Sequence, residues 1–453
     1  MIFSPSRFFL GALGALLLGY ALLDRGFAHL AVGPIFIGDA VLAVGLVCAP
    51  AIGTRAFFRP PLVVPLLLFM ALGAIRTAPY LELYGSDAVR DAVIWAYGLF
   101  ALIVAAAMLR SGWLATCLDL YARILLPAFL LLEPPLMLLG RLYADQLPDV
   151  PGSKISILAL KPGDAAVHYV GIAGILLLDL GARWRLRPAW KLFWWACWAT
   201  GAFLVASESR GALVTIVAGL ALLSLLWPVT VGRSVLLGVV APAAVVLLVA
   251  MPFNPANDQV GRSLTGAQLL QNVESVIAPS PNLEDGTREW RIAWWNEILN
   301  YTLFGPYFWS GKGFGINLAD ADGFQVLQDD SLRSPHNSHL TILARMGLPG
   351  LAIWALLQGL FGSKLLCAVI RARRRGDDWW QRVDSWILAY WLAFLLNAAF
   401  DVYLEGPQGG IWFWSVVGFG MASLALQRER SAAAARNSRQ PCDRPTRAPI
   451  LNG

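Results

Sequence analysis

SPHNSHLTILARMGLPGL, residues 334–351, is where a long polar stretch turns back into apolar sequence, and AIWALLQGLFGSKLLCAVI continues the apolar run to residue 370. A bilayer core about 30 Å thick needs about 20 apolar residues per spanning helix, so this run reads as a membrane span. Working outward, similar runs recur near residues 8–24, 33–52, 60–76, 89–109, 114–139, 164–181, 190–206, 211–228, 233–252, 347–370, 383–400 and 409–426. Composition agrees: 57% of residues are hydrophobic, only 14% are charged, and the mean hydropathy is +0.60. These values exclude an ordinary soluble domain. The expectation is an all-α polytopic membrane protein of about twelve transmembrane helices.

Lys and Arg in the short connections set the orientation. One side carries Arg55 and Arg59, Arg110, the group Arg183 to Lys191, Arg233, and Arg371 to Arg375, followed by the arginines of the tail. The other side carries TAPYLELYGSD, SESRG, the long loop 253–335 and DVYLEGPQGG, which are poorer in cations. Both termini are therefore expected in the cytoplasm and the long loop outside. The net charge of +6 then reports orientation and anionic membrane lipids, with no nucleic-acid partner. The N-terminal run is long and lacks a small-x-small cleavage pattern, so it reads as a retained anchor. None of the five cysteines lies in the external loop, and their spacing suits neither a disulfide framework nor a metal site. The chain divides into residues 1–252 (nine spans), 253–335 (loop), 336–427 (three spans) and a basic, disordered tail, 428–453.

Chemistry-bearing residues collect on the external side. In the loop, LTGAQLLQNVESVIAPS at 264–280 has apolar residues at helical spacing, as in an interfacial helix. Next, EDGTREWRIAWWNEIL offers Asp285 or Thr287 as the cap of a helix beginning near Arg288. Arg288 and Arg291 then share a face of its first turn, where free N–H groups add to an anion site suited to a diphosphate. Trp290, Trp294 and Trp295 fit an interfacial belt, with stacking on sugar rings as the sharper reading. Gly-rich GPYFWSGKGFG brings Lys312 back toward the membrane, by a turn or by a loop that wraps phosphate. SESRG places Arg210 at a membrane boundary, with Glu208 able to hold its guanidinium.

His336 is a titratable imidazole at that same boundary, suited to take a proton from a hydroxyl near neutral pH. Asn337 is a candidate to orient the acceptor or the imidazole. His339 lies one helical turn on, but no HExxH pattern completes a metal set. KPGDAAVHYVGIAG adds Lys161, Asp164 and His168 as possible substrate-binding groups. Asp39, Arg90 and Asp91 fall in or near spans, where charge is costly, and are expected to be paired inside the bundle.

Together, SESRGALV (207–214), GTREWRIAWWNEIL (286–299) followed by GKGFG, and PHNSHLTILARMGLPGL (335–351) resemble the signature segments of the O-antigen ligase and polymerase superfamily. The order, the spacing and the single large late loop extend the likeness over nearly the whole chain. The resemblance implies a GT-C-like fold and an inverting glycosyltransferase without metal or cofactor. It further implies an undecaprenyl-diphosphate-linked glycan as donor, a glycan or lipid A-core as acceptor, and action at the periplasmic face of the bacterial inner membrane. Carried over by position, it makes His336 the base and Arg210 and Arg288 the diphosphate ligands. Members commonly carry an acidic residue before the glycine that follows the HN pair, whereas Arg345-Met346-Gly347 stands here. The same superfamily includes chain polymerases. A flippase or transporter is the alternative of another class, but the unequal halves and the late external insertion favour an enzyme.

Overall fold

The computed structural model describes residues 4–32, 35–180, 188–227, 284–328 and 331–437. The expected ninth span at 233–252, the amphipathic stretch 264–280 and the end of the tail lie outside them, as do the side chains of 284–288, Arg288 included. The described chain is predominantly helical. Its one sheet is a hairpin pairing Ala31–Val32 antiparallel with Ile35–Phe36.

Among the described residues, five helices are long and apolar enough to cross a membrane: Pro5–Ala28, Val63–Tyr84, Leu114–Leu142, Ser338–Arg375 and Pro407–Ala433. A sixth is the pair Ser86–Ala96 and Gly98–Ser111 if its 42° bend is taken within one span. Shorter apolar helices run over Ile37–Ile52, Pro162–Leu178 and Arg210–Leu226, and Pro188–Glu208 and Asp378–Ala398 are further long helices among the described residues. Every expected run except the ninth falls on one of these helices.

The hub is the helix beginning at Pro407, whose apolar window is 94% buried. Apolar all round, it has no face suited to water or headgroups and sits inside the bundle. Small residues let its neighbour approach closely. A Cβ on Gly418 would come within 2.6 Å of the Ala101 carbonyl oxygen, in the alanine-rich Gly98–Ser111 helix. Several buried polar groups are matched across helices, which offsets their desolvation. Asp384 accepts from Ser423 at 2.6 Å and Gln427 at 2.7 Å, and Glu133 accepts from Tyr169 at 2.5 Å.

Inside Ser338–Arg375, Gly347 breaks the helix with φ 68° and ψ −171°. The break frees backbone groups that must find partners away from water. Loop 305–315 supplies them: Lys312 N donates to Ala344 O at 2.7 Å, Gly313 N to Arg345 O at 3.1 Å, and Leu348 N donates to Phe308 O at 2.8 Å. The glycine-rich stretch is thus docked on the kink. Arg345, 1% exposed, clamps it from the side chain, pairing with Asp91 at 2.9 Å and donating to Gly313 O and Ile316 O. Asp91 also accepts from Arg333 and Gly315 N, so its expected interior pairing is met. Arg90 is half exposed beside Asp87 and Asp91, and Asp39 accepts from the Phe36 N–H at an exposed helix start instead of pairing inside the bundle.

A side chain at 347 would bring Cβ within 2.6 Å of Phe308 O in a left-handed backbone. Gly347→Ala is therefore expected to destabilise the protein by about 1–3 kcal/mol. Thermal unfolding in detergent measures it, and an unchanged midpoint would show that the kink is not rigidly set.

Candidate active site

The turn 399–406 joins two helices of the bundle, and the polar groups of four distant segments meet at its start. Asp401 accepts from Lys161 Nζ at 2.6 Å and contacts His336 Nδ1 at 3.4 Å. Arg291 donates to the neighbouring Phe400 carbonyl at 3.1 Å. The start of Arg210–Leu226 abuts the same turn, where a Cβ on Gly211 would lie 3.2 Å from Phe400 Cβ.

Electrostatics tie these groups together. Burial works against the Asp401 charge, yet Lys161 and the bond to His336 outweigh it and hold the carboxyl well below the usual carboxylate range. Burial likewise works against Lys161, while Asp401 and Asp164 hold its pKa above the ordinary value. Arg291 is pushed below its ordinary value, first by burial and also by the like charge of Arg210, with Asp401 opposing. Arg210 and Arg291 therefore stand close enough to repel. The Arg291 Nε is buried and has no hydrogen-bond partner among the described residues, which leaves a donor for an anion.

His336 is held in a conformation that side chains rarely adopt, with φ 53°. Its neighbours fix it there. Trp295 donates to Pro335 O at 2.8 Å, Ser338 Oγ donates to Asp401 O at 3.3 Å and accepts from Leu404 N at 3.2 Å, and the Trp290 ring lies 6.4 Å away, edge-on. An ionised carboxylate only accepts, so in a neutral ring the Asp401 contact favours the proton on Nδ1 and leaves the Nε2 lone pair open.

Other residues singled out in the sequence take different posts. Asn337 is the N-cap of Ser338–Arg375, its Oδ1 accepting from His339 N and Leu340 N at 3.0 and 3.1 Å, so that oxygen is committed to the helix start. His339 has both ring nitrogens engaged, by Trp354 Nε1 at 3.1 Å and Leu395 O at 3.0 Å. Glu208 pairs with Arg141 at 2.9 Å. Lys312 is ion-paired with Asp322 and lies 4.2 Å from the Tyr301 ring centroid.

Asp164 accepts from Asn397 at 3.1 Å and Gln408 at 3.5 Å, inside the bundle. His168 is buried too, 2.7 Å from the Tyr390 hydroxyl and 4.3 Å from the Trp412 ring. With Lys161 they line a cavity of ≈ 10 Å³, scarcely room for one water. The loop helix runs over Glu284–Leu299 and not from near Arg288. Arg288 and Arg291 thus fall beyond its first turn, and the free N–H groups of the helix end do not flank them. Trp294 is fully buried, bonded to Asp322 and stacked on Phe324, so it belongs to the small core of the loop and not to an interfacial belt. Asp401 was missed because an acidic residue in a short external connection reads only as an orientation marker.

Helical membrane bundle and converging basic groups define the class, a multi-pass membrane protein with Lys161, Arg210 and Arg291 gathered near His336 and Asp401. Residues 195–355 match the family model described as O-antigen ligase, which supports assignment to the O-antigen ligase superfamily. No curated protein matches the chain.

On the same turn, burial raises Glu405 to about 7, against Arg345 and the hydroxyls of Thr341 and Ser334. Its folded pKa exceeds the unfolded one, so the folded state holds more protons and stability falls as pH rises from the unfolded value through about 7. Glu405→Gln is expected to flatten that fall. Thermal midpoints at pH 5, 6, 7 and 8 read it out, and identical slopes in both proteins would contradict the assignment.

Proposed function

We propose that this chain is a glycosyltransferase of the bacterial inner membrane, moving a glycan from an undecaprenyl-diphosphate donor to an acceptor hydroxyl at the periplasmic face, as an O-antigen ligase does. One observation carries the reading: His336, oriented by the Asp401 carboxylate, stands where Arg210 and Arg291 are brought together from distant parts of the chain. The family match over the segment containing Arg210, Arg291 and His336 supports it.

In this reading His336 Nε2 takes the acceptor proton as the oxygen bonds to the anomeric carbon. Attack comes from the face opposite the diphosphate, the bond from carbon to phosphate oxygen breaks, and configuration inverts. The imidazolium that forms is stabilised by Asp401, as an orienting carboxylate stabilises the histidine of a hydrolase triad. Lys161 keeps that carboxylate ionised. Charge developing on the leaving diphosphate falls to Arg210 and Arg291, with Arg288 joining them by its place in the resemblance. No step calls for a metal or cofactor.

The same reading assigns about twelve spans in a GT-C-like plan, both termini to the cytoplasm, residues 253–335 to the periplasmic loop, and 428–453 to a cytoplasmic tail. A flippase would need cations strung along a passage through the bilayer. Here Lys161, Arg210 and Arg291 gather at the His336 end, which favours the enzyme.

Purified protein with lipid-linked donor tests the chemistry. His336→Ala is expected to lower transfer by about 10²- to 10⁴-fold, the usual worth of a general base. Asp401→Asn keeps the shape but loses the orienting charge, and is expected to lower kcat with little change in donor KM. Arg291→Ala is expected to raise donor KM as well. Full turnover in His336→Ala would remove the base, and full turnover in Arg291→Ala would remove the diphosphate contact.

A further inference from the structure

At the end of the bundle away from His336, the Ser338–Arg375 and Pro407–Asn437 helices open around a cavity of ≈ 820 Å³. Five cations line it, Lys364, Arg371, Arg375, Arg428 and Arg430, against one carboxylate, Asp377. Asp377 is committed elsewhere, capping the next helix through Trp380 N at 3.4 Å. Asp384, which feels the charge of Arg371, already accepts from Ser423 and Gln427.

Among the described residues none of the five cations is ion-paired. Arg375 donates to Ser431 Oγ at 3.0 Å, and Arg430 lies 5.9 Å from the Trp380 ring centroid. Trp380 is 7% exposed and lines the cavity, and its indole N–H has no partner among the described residues. Like charges crowded around a concavity repel, and an anion seated among them relieves that repulsion. A buried N–H without an acceptor points the same way.

The surroundings select the source of the anion. The cavity is cut between the ends of two membrane-spanning helices, where basic pockets hold lipid headgroups. Leu366 and Ile370, on the helix that carries Lys364 and Arg371, are exposed and provide apolar surface for hydrocarbon. A soluble phosphate would use the cations but not this flank.

We propose that this cavity binds the headgroup of an anionic phospholipid from the leaflet opposite the candidate active site. The phosphodiester sits between Arg371 and Arg428, and the acyl chains lie along Leu366 and Ile370. This site is independent of the transfer chemistry.

The test titrates the full chain in neutral detergent with dioleoylphosphatidylglycerol, dioleoylphosphatidylcholine and inorganic phosphate, with bound lipid counted by native mass spectrometry. Phosphatidylglycerol is expected to bind at least about tenfold more tightly than phosphatidylcholine, and inorganic phosphate is expected not to displace it. Arg371→Gln combined with Arg428→Gln is expected to weaken phosphatidylglycerol roughly twentyfold to thirtyfold, from about 1 kcal/mol per cation. The matching lysine pair is expected to retain binding. Equal affinity for the two lipids overturns the proposal, as does displacement by phosphate, which would make this a phosphate site. Undiminished binding in the glutamine pair overturns it too. The comparisons on the unaltered protein stand even if a variant folds poorly.

Discussion

A buried carboxylate holds the candidate site together. Asp401 lies between Lys161 and His336, and taking such a charge out of water costs several kcal/mol unless partners surround it. The cost is met by geometry. Lys161 opens one helix, His336 precedes another, Arg291 comes from the loop, and each is drawn to the same turn. Removing Asp401 would take from the Lys161 ammonium, the Arg291 guanidinium and the His336 imidazole the carboxylate they share, leaving Asp164 to face Lys161. The carboxylate therefore draws the basic groups together and, in a neutral His336 ring, favours Nε2 as the open nitrogen.

Around this centre the chain uses backbone to position side chains. The helix following His336 breaks at Gly347, and the loop 305–315 fills the broken hydrogen-bond ladder. Arg345 and Asp91 lock that loop to the bundle from within. The loop helix bearing Arg291 is anchored through Trp294 to Asp322, which also receives Lys312. Lys312 and Arg345 thus serve the support of the site. Their charges are spoken for by carboxylates that neither motif nor spacing reveals.

Much of the architecture was legible in the sequence because membrane helices announce themselves by apolar length alone. Arg210 and the histidine just before the Ser338–Arg375 helix stood out as well, since charge at a membrane boundary demands a reason. The partners were not. Asp401 sits 65 residues from His336 and 240 from Lys161, and no local pattern links them. Asn337 could have been read as a helix cap, because it directly precedes an apolar-periodic run. The early start of the loop helix at Glu284 was hidden by the better capping residues Asp285 and Thr287 just beyond it. Arg345, a departure from the family pattern, becomes intelligible only once Asp91 is seen beside it.

The most direct measurement of the central claim is the protonation pattern of His336, read by ¹⁵N NMR of histidine-labelled protein and assigned by loss of the signal in a His336 variant. The account predicts a neutral ring protonated at Nδ1 with Nε2 bare at high pH, and a shift of that pattern in Asp401→Asn. A ring protonated at Nε2, or one indifferent to Asp401, would contradict it.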